Sequence, residues 1–273
     1  MTDPTMDSTP DDADERRALL ARAWDEAAPR YEQYFVPRFT PWVASAVATI
    51  AGATLPAGPI LVPCCGTFPE LPALRNSHPR REIIGIDLSP EMVRWARQRA
   101  TGLPRVRVVV GDATTLRPQW TNVAAGIVSV FGLQQLPDPA SALADWIGTV
   151  RPGGRLSVMF WPSESETDGP FALLRRLLAG RRPPPDDAWQ NRLGEVITAA
   201  GATVEREEYL TYPMHHPDAA TFWTAITDGG SLRALSIMRG KTFMRALRQE
   251  FLDLAPPEPW HHSPRAQWIV AQR

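Results

Sequence analysis

The feature that most constrains this chain is a rhythm running from Ile60 to Trp161: a short apolar run, a turn, a helical stretch, and the same again. Pro59-Ile60-Leu61-Val62 leads into the turn Pro63-Cys64-Cys65-Gly66-Thr67, and Glu82-Ile83-Ile84-Gly85-Ile86 ends at Asp87. Ser89 then stands as an N-cap, with Pro90 at the first helical position and Glu91 in the first turn. Val106 to Val110 is a third run, followed by Gly111-Asp112. Ala124 to Phe131 is a fourth, with a helix over Ala140 to Val150, and Pro152-Gly153-Gly154 turns the chain into a fifth, Arg155 to Trp161. Strands apolar along their whole length, separated by amphipathic helices, predict a doubly wound, mostly parallel sheet with helices on both faces.

The flanks read differently. Met1 to Glu15 is acidic and polar with almost nothing to bury, which predicts a disordered tail. A helix is expected from Arg16 to about Ala28 and a second from Thr40 to Ala51, separated by Pro37 and Pro41, so that residues 16–56 form an N-terminal helical cap. Beyond Trp161, helices over Pro170–Ala179 and Ala188–Ala200 enclose a proline-rich loop, Arg182–Pro185, and Thr203–Tyr212 alternates like a strand. Phe222–Leu254 reads as helix broken near Gly229-Gly230 and Gly240, and Ala266–Gln272 as a terminal strand. The expected division is a core over 57–212, with a helical lid and closing strand over 213–273.

Composition removes several classes of function. The net charge is −1 and the basic runs, Arg80-Arg81 and Arg181-Arg182, are two residues long, which argues against nucleic acid as a partner. The longest apolar stretch, around Val123 to Leu133, is far short of a bilayer crossing, and the polar N-terminus does not resemble a signal peptide. No membrane partner and a cytoplasmic location are therefore expected. The two cysteines, Cys64 and Cys65, are adjacent, which suits neither a structural disulfide nor a zinc site.

In an open parallel sheet, ligands bind beyond the carboxyl ends of the strands where chain order reverses. Here the first strand ends in a turn of small residues and the second in an acid, an arrangement for a nucleoside-containing ligand whose ribose hydroxyls the carboxylate accepts. Cys64-Cys65-Gly66-Thr67-Phe68 holds one glycine, not the three that admit a dinucleotide pyrophosphate, so a nicotinamide-dependent dehydrogenase is a poor fit.

From about Tyr31 to Pro162 the chain resembles the class I S-adenosylmethionine-dependent methyltransferases. Ile60-Leu61-Val62-Pro63-Cys64-Cys65-Gly66-Thr67 is similar to the family's hydrophobic strand and Gly-Cys-Gly-Thr-Gly turn, and Gly85-Ile86-Asp87-Leu88-Ser89-Pro90-Glu91-Met92 to its ribose-binding motif. Gly111-Asp112-Ala113 matches the adenine contact. Phe131-Gly132-Leu133-Gln134-Gln135-Leu136-Pro137 stands where a histidine pair often precedes Leu-Pro, and Thr149-Val150-Arg151-Pro152-Gly153-Gly154 matches the turn into the fifth strand.

The resemblance implies a seven-stranded sheet, S-adenosylmethionine as cofactor, and a cofactor site formed by Tyr31, Pro63, Cys64, Gly66, Asp87, Leu88, Met92, Asp112, Ala113 and Phe131. It also implies a small-molecule methyl acceptor, expected to be apolar or aromatic from the Tyr, Phe and Trp of the lid; oxygen is the first choice of acceptor atom, with nitrogen and carbon close behind, and a homodimer is left open. Tyr31 and His215 are the candidate catalytic residues. His215-His216 follows the sixth strand, and an imidazole accepts a proton near neutral pH; His261-His262 and the amides of Gln134 and Gln135 are weaker candidates. Tyr34, Phe35 and Trp42 would continue an aromatic wall favourable to a sulfonium cation.

Two departures from the family pattern stand out. Val62 replaces the acid that holds the cofactor's amino group, while Cys64 and Phe68 replace glycines. The Phe68 ring is expected to crowd the cofactor's carboxylate end or to push the loop outward. The alternative function is a protein of this fold that binds the cofactor without methylating, or uses it for other chemistry.

Overall fold

A computed structural model describes residues 10–181 and 187–273. Residues 1–9 of the expected tail, and the Arg182–Pro185 loop, lie outside the described residues.

The strand and helix rhythm resolves into β1 (Ile60–Pro63), α2 (Leu71–Ser77), β2 (Ile83–Asp87), α3 (Pro90–Arg99), β3 (Val106–Val110), α4 (Arg117–Trp120), β4 (Ala124–Val130), α5 (Pro139–Thr149) and β5 (Val150–Phe160), all preceded by one helix, α1 (Pro10–Ala51). After β5 come α6 (Pro170–Leu178), α7 (Leu193–Ala199), β6 (Thr203–Thr211), β7 (Met214–His216), α8 (Ala219–Asp228), α9 (Arg233–Leu254), β8 (Trp260–His262) and β9 (Arg265–Gln272). Seven strands form one sheet in the order β3-β2-β1-β4-β5-β9-β6. The ladders from β3 to β5 are parallel, and β9 runs antiparallel to both its neighbours. Period-two alternation splits the core into two layers. Ile60 and Val62 face a cluster shared with α1, α3, α8 and α9, whereas Leu61 faces one shared with α5 and α7.

Three features differ from the sequence expectation. The chain is already helical from Pro10, and α1 runs on through Pro29, Pro37 and Pro41 where two helices were expected. Each proline removes one backbone bond, but burial keeps the helix in place: Phe35, Phe39, Trp42, Ala46, Val47 and Ile50 repeat at helical spacing and are all buried. The segment expected as the Ala188–Ala200 helix opens as a 3-10 turn, Ala188–Arg192, before α7. A two-stranded ribbon, β7 with β8, pairs His215 with His261, so the histidine pair expected after the sixth strand lies on a strand of its own. The breaks at Gly229 and Gly240 are present; Gly240, inside α9, has a φ of 72° and ψ of 176°.

Candidate functional site

Chain order reverses between β1 and β4, and the loop leaving β1 stands at that reversal. Its backbone enters the left-handed region at alternate residues, with φ of 55° at Cys64, 52° at Gly66 and 66° at Phe68. These are the three positions at which the resembling family keeps glycine, and only Gly66 adopts them without strain. The loop is tied down by Cys65 N–H to the Ile86 carbonyl (3.0 Å), Phe68 N–H to the Cys65 carbonyl (2.7 Å) and Gly66 N–H to Asp87 Oδ2 (2.8 Å).

The Phe68 side chain corrects the expectation made for it. The ring is fully buried in the α1-side core and lies against Gly85 of β2: a Cβ on Gly85 would stand 2.9 Å from Phe68 Cε1 and 2.9 Å from Cys65 Sγ. It neither enters the cradle nor pushes the loop out. Cys64 is matched in the same way, because a Cβ on Gly132 would stand 2.3 Å from Cys64 Cβ. Val62 is the register partner of Gly85 and belongs to the same apolar cluster as Phe68. A carboxylate at position 62 would meet this ring's surroundings desolvated, so the two departures fit together as one apolar repacking.

Above the loop lies a cavity of about 80 Å³ lined by Leu20, Trp24, Tyr31, Cys64, Gly66, Asp87, Leu88, Met92, Asp112, Ala113, Val130, Phe131, Gly132, Gln135 and Leu136. The structure therefore brings together nine of the residues expected to hold a cofactor. Pro63 is not on the wall; its carbonyl accepts from Ser129 Oγ at 3.0 Å, inside the sheet. Asp87 accepts from Gly66 N–H on one oxygen and from Ser89 N–H (3.0 Å) on the other, and burial raises its carboxyl above the ordinary range against these two bonds. Asp112 accepts from the Thr114 N–H (2.8 Å) and hydroxyl (2.7 Å), with Arg17 at 3.7 Å. Tyr31 borders Gly66, where an added Cβ would lie 3.8 Å from its ring. Burial first, then Glu70, Asp87 and Glu32, raise its hydroxyl well above the ordinary phenol range.

The donor set suits an adenosyl sulfonium compound: a carboxylate at the ribose end, an open-backbone glycine, and aromatic rings for the cation. The volume is far below the ~300–1,000 Å³ of occupied small-molecule sites. It is small because the first turns of α1 cover it. Leu20 and Trp24 form part of the wall, and Asp25 accepts from Ser89 Oγ (2.5 Å) and Glu91 N–H (2.9 Å) at the start of α3. These wall residues were missed in the sequence, where the only signal is an apolar pair at i and i+4 beside an acidic segment.

His215 is not brought to the cavity. It is exposed on the ribbon, its ring 4.5 Å from that of His261, and its carbonyl accepts from Arg38 Nε at 3.0 Å. A short strand alternates its side chains, which sends His215 outward and His216 inward. Of the expected aromatic wall, Phe35 and Trp42 are core residues and the Tyr34 hydroxyl pairs with His216 (2.8 Å), while Phe131, on the cavity wall, stacks on Trp161 at 4.2 Å. Gln134 satisfies the Phe131 carbonyl (2.7 Å) and Gln135 lines the cavity.

Glu70, at the start of α2, is 2% exposed and its Oε2 has no partner among the described residues. Burial pushes its carboxyl up to about 8 from 4.5, opposed by its own N–H and by Arg99 and reinforced by Asp87. An acid with a raised pKa in the folded state binds its proton more tightly there, so stability falls as pH rises through the window from 4.5 to about 8. Urea unfolding at pH 5 and pH 9 is expected to show this loss, and Glu70→Gln to remove most of it. An equal loss in the variant would assign it to another group.

Among the described residues no helix is long and apolar enough to cross a membrane, and no group of His, Cys, Asp and Glu side chains is placed to hold a metal ion. Residues 61–158 match a family described as "Methyltransferase domain". An uncharacterised 37.1 kDa protein of a Streptomyces fradiae transposon is 41% identical over 93 residues, 34% of this chain and 27% of the relative. Trans-aconitate 2-methyltransferase of Methylobacterium radiotolerans is 33% identical over 156 residues, 57% of this chain and 55% of the relative, so the chain spans less than two thirds of either. A geranyl diphosphate methyltransferase structure, solved with GPP and sinefungin, superposes over 94% of this chain and 99% of that one with a TM-score of 0.56 at 14% identity. Segment 61–158 thus matches a methyltransferase domain, and the chain shares the fold of the class I S-adenosylmethionine-dependent methyltransferases.

Proposed function

We propose that this chain binds S-adenosylmethionine in the cavity beyond β1, β2 and β4 and transfers its methyl group to a small molecule. The observation that carries the reading is the loop 64–68, which keeps three left-handed positions beside Asp87 even where two of them bear side chains. Strain of this kind persists only where the surroundings hold it, and it clusters at binding sites. The activities named for trans-aconitate 2-methyltransferase and geranyl diphosphate methyltransferase support a small-molecule acceptor. We take the acceptor to be apolar or aromatic and its reacting atom to be oxygen first, nitrogen or carbon next.

Asp87 would hold the ribose hydroxyls, Asp112 and the Ala113 amide the adenine, and Gly66 with Tyr31 the methionyl end. The bound cofactor supplies a methyl group on a sulfonium, open to in-line displacement. The chain's part is to hold the acceptor collinear with that methyl and to keep water out. Phe131, Trp24 and Tyr31 present ring surface to the cavity, which favours a cation there. Tyr31 keeps its proton at neutral pH, since its hydroxyl is raised by burial, so it serves as a hydrogen-bond donor and not as a base.

Calorimetry with S-adenosylhomocysteine, paired with transfer of a labelled methyl group to a panel of phenols, carboxylic acids and amines, tests the reading. Binding with no transfer to any acceptor leaves the non-methylating alternative. Tyr31→Phe is expected to lower kcat several-fold and to weaken cofactor binding by less than that; equal kcat returns Tyr31 to packing.

A further inference from the structure

The residues that α1 gives to the cavity wall, Leu20, Trp24 and Tyr31, stand at i, i+4 and i+11, so one stripe of the helix faces the cavity. Two of them are each followed directly by a carboxylate: Asp25 after Trp24, and Glu32 after Tyr31. Seven residues is close to two helical turns. Both carboxylates therefore leave α1 on the same side, about 10 Å apart along its axis.

Both reach α3, one at each end of it. Asp25 accepts from Ser89 Oγ (2.5 Å) and Glu91 N–H (2.9 Å) at the first turn, where unpaired N–H groups and the helix dipole favour an anion. Glu32 Oε1 accepts from Arg99 Nη2 at the last turn. The Glu32 and Arg99 side chains are 19% and 23% exposed, so water screens this pair less than it screens the surface pair Arg94 and Glu91 of the same helix.

Arg99 makes a further bond. Its Nη1 donates to the Thr67 carbonyl (2.6 Å), inside the loop that is left-handed at Cys64, Gly66 and Phe68. Cys65 N–H to the Ile86 carbonyl and Gly66 N–H to Asp87 tie that loop to β2; the guanidinium ties it to α1 as well. The planar fork holds both donors in one rigid frame, which a lysine ammonium does not. Its effect is visible at Gly66, where an added Cβ would stand 3.8 Å from Tyr31 Cε1 and 4.0 Å from Met92 Sδ. Loop, α1 and α3 meet there. Trp24 and Tyr31 meet edge to face, with centroids 5.7 Å apart at 85°.

We propose, resting on the S-adenosylmethionine reading, that Asp25, Glu32 and Arg99 are positioning residues of the cofactor site. A clasp at each end of α3 fixes the roll of α1 about its axis and so aims Trp24 and Tyr31 into the cavity, and Arg99 sets the loop against Tyr31. None of the three lines the cavity. A roll of about 10° carries a side-chain tip, ~6 Å from the helix axis, through roughly 1 Å. A misplacement of about 1 Å is enough to cost on the order of 100-fold in rate.

Glu32→Ala and Glu32→Gln separate the clasp from the fold. Glu32 uses Oε1 for Arg99 and its Oε2 has no partner among the described residues, so the Gln amide oxygen keeps the bond that Ala deletes. The chain has four tyrosines, which makes 3-fluorotyrosine a usable ¹⁹F label, the Tyr31 signal being the one lost in Tyr31→Phe. That signal is expected to shift or broaden in Glu32→Ala and to keep its wild-type position in Glu32→Gln. An unchanged signal in Glu32→Ala overturns the clasp.

In calorimetry with S-adenosylhomocysteine, Glu32→Ala is expected to raise Kd about 10-fold, and Arg99→Met, which also loses the Thr67 bond, by more. The double variant should match Arg99→Met, because the two changes remove one shared interaction, whereas Asp25→Ala at the other clasp should add to Glu32→Ala. Full additivity of Glu32→Ala with Arg99→Met overturns the joint, and if Arg99→Met does not fold, the two Glu32 variants decide. A wild type that binds, with Kd unchanged in Glu32→Ala, overturns the positioning role alone. A wild type that does not bind S-adenosylhomocysteine removes the cofactor reading instead, and the fluorine spectra still decide the clasp.

Discussion

Phe68→Ala is expected to destabilise the protein by about 3–5 kcal/mol in urea unfolding, the range for emptying a fully buried aromatic site. The ring is 0% exposed and packs on Gly85, so the void cannot be filled by a small shift. Phe68→Gly should cost about 1 kcal/mol less than Phe68→Ala, although glycine is usually the worse replacement, because residue 68 has a φ of 66°. A ring standing in the cradle instead of the core would give the opposite pattern: little change in stability, and tighter cofactor binding on truncation.

Asp87→Ala should weaken S-adenosylhomocysteine binding by about 2–3 kcal/mol, roughly 30–150-fold in calorimetry, since hydrogen bonds to a charged group each contribute about 1.5–3 kcal/mol. The carboxylate also holds Gly66 N–H and Ser89 N–H, so its loss frees the loop as well as the ribose site. Asp87→Asn, which keeps one acceptor oxygen, should fall between wild type and Ala. Unchanged affinity in the Ala variant would remove the ribose from this strand end.

The core was legible because its signals are local. Val, Ile and Leu runs ending at Pro63 and Asp87, and the Ser89-Pro90 start of α3 (Ser89 Oγ accepts from Met92 N–H at 3.0 Å), are decided within a few residues. The cavity residues on those strand ends followed from the same logic. What the sequence hid depends on tertiary contact. Pro37 and Pro41 read as breaks, yet burial of one face carries α1 through them and through Pro29. Phe68 looked like an obstruction because its partner, Gly85, is seventeen residues away and reads as an ordinary strand glycine. The choice between His215 and His216 turns on the facing of a three-residue strand, which has too little pattern to show itself. The hydrogen bonds that join Tyr34 to His216, His216 to His262 and His262 to Glu166 link four distant segments, and no spacing rule reaches across them.

The pairing of Phe68 with Gly85 and of Cys64 with Gly132 has a consequence for how such a turn changes over generations. Restoring Gly-x-Gly-x-Gly alone leaves two holes, and enlarging Gly85 or Gly132 alone drives a methyl into its neighbour. Neither half of either pair moves profitably by itself, so a single glycine restored at 64 or 68, or a side chain added at 85 or 132, is expected to cost stability. Anyone grafting a consensus turn onto this chain should exchange each pair together.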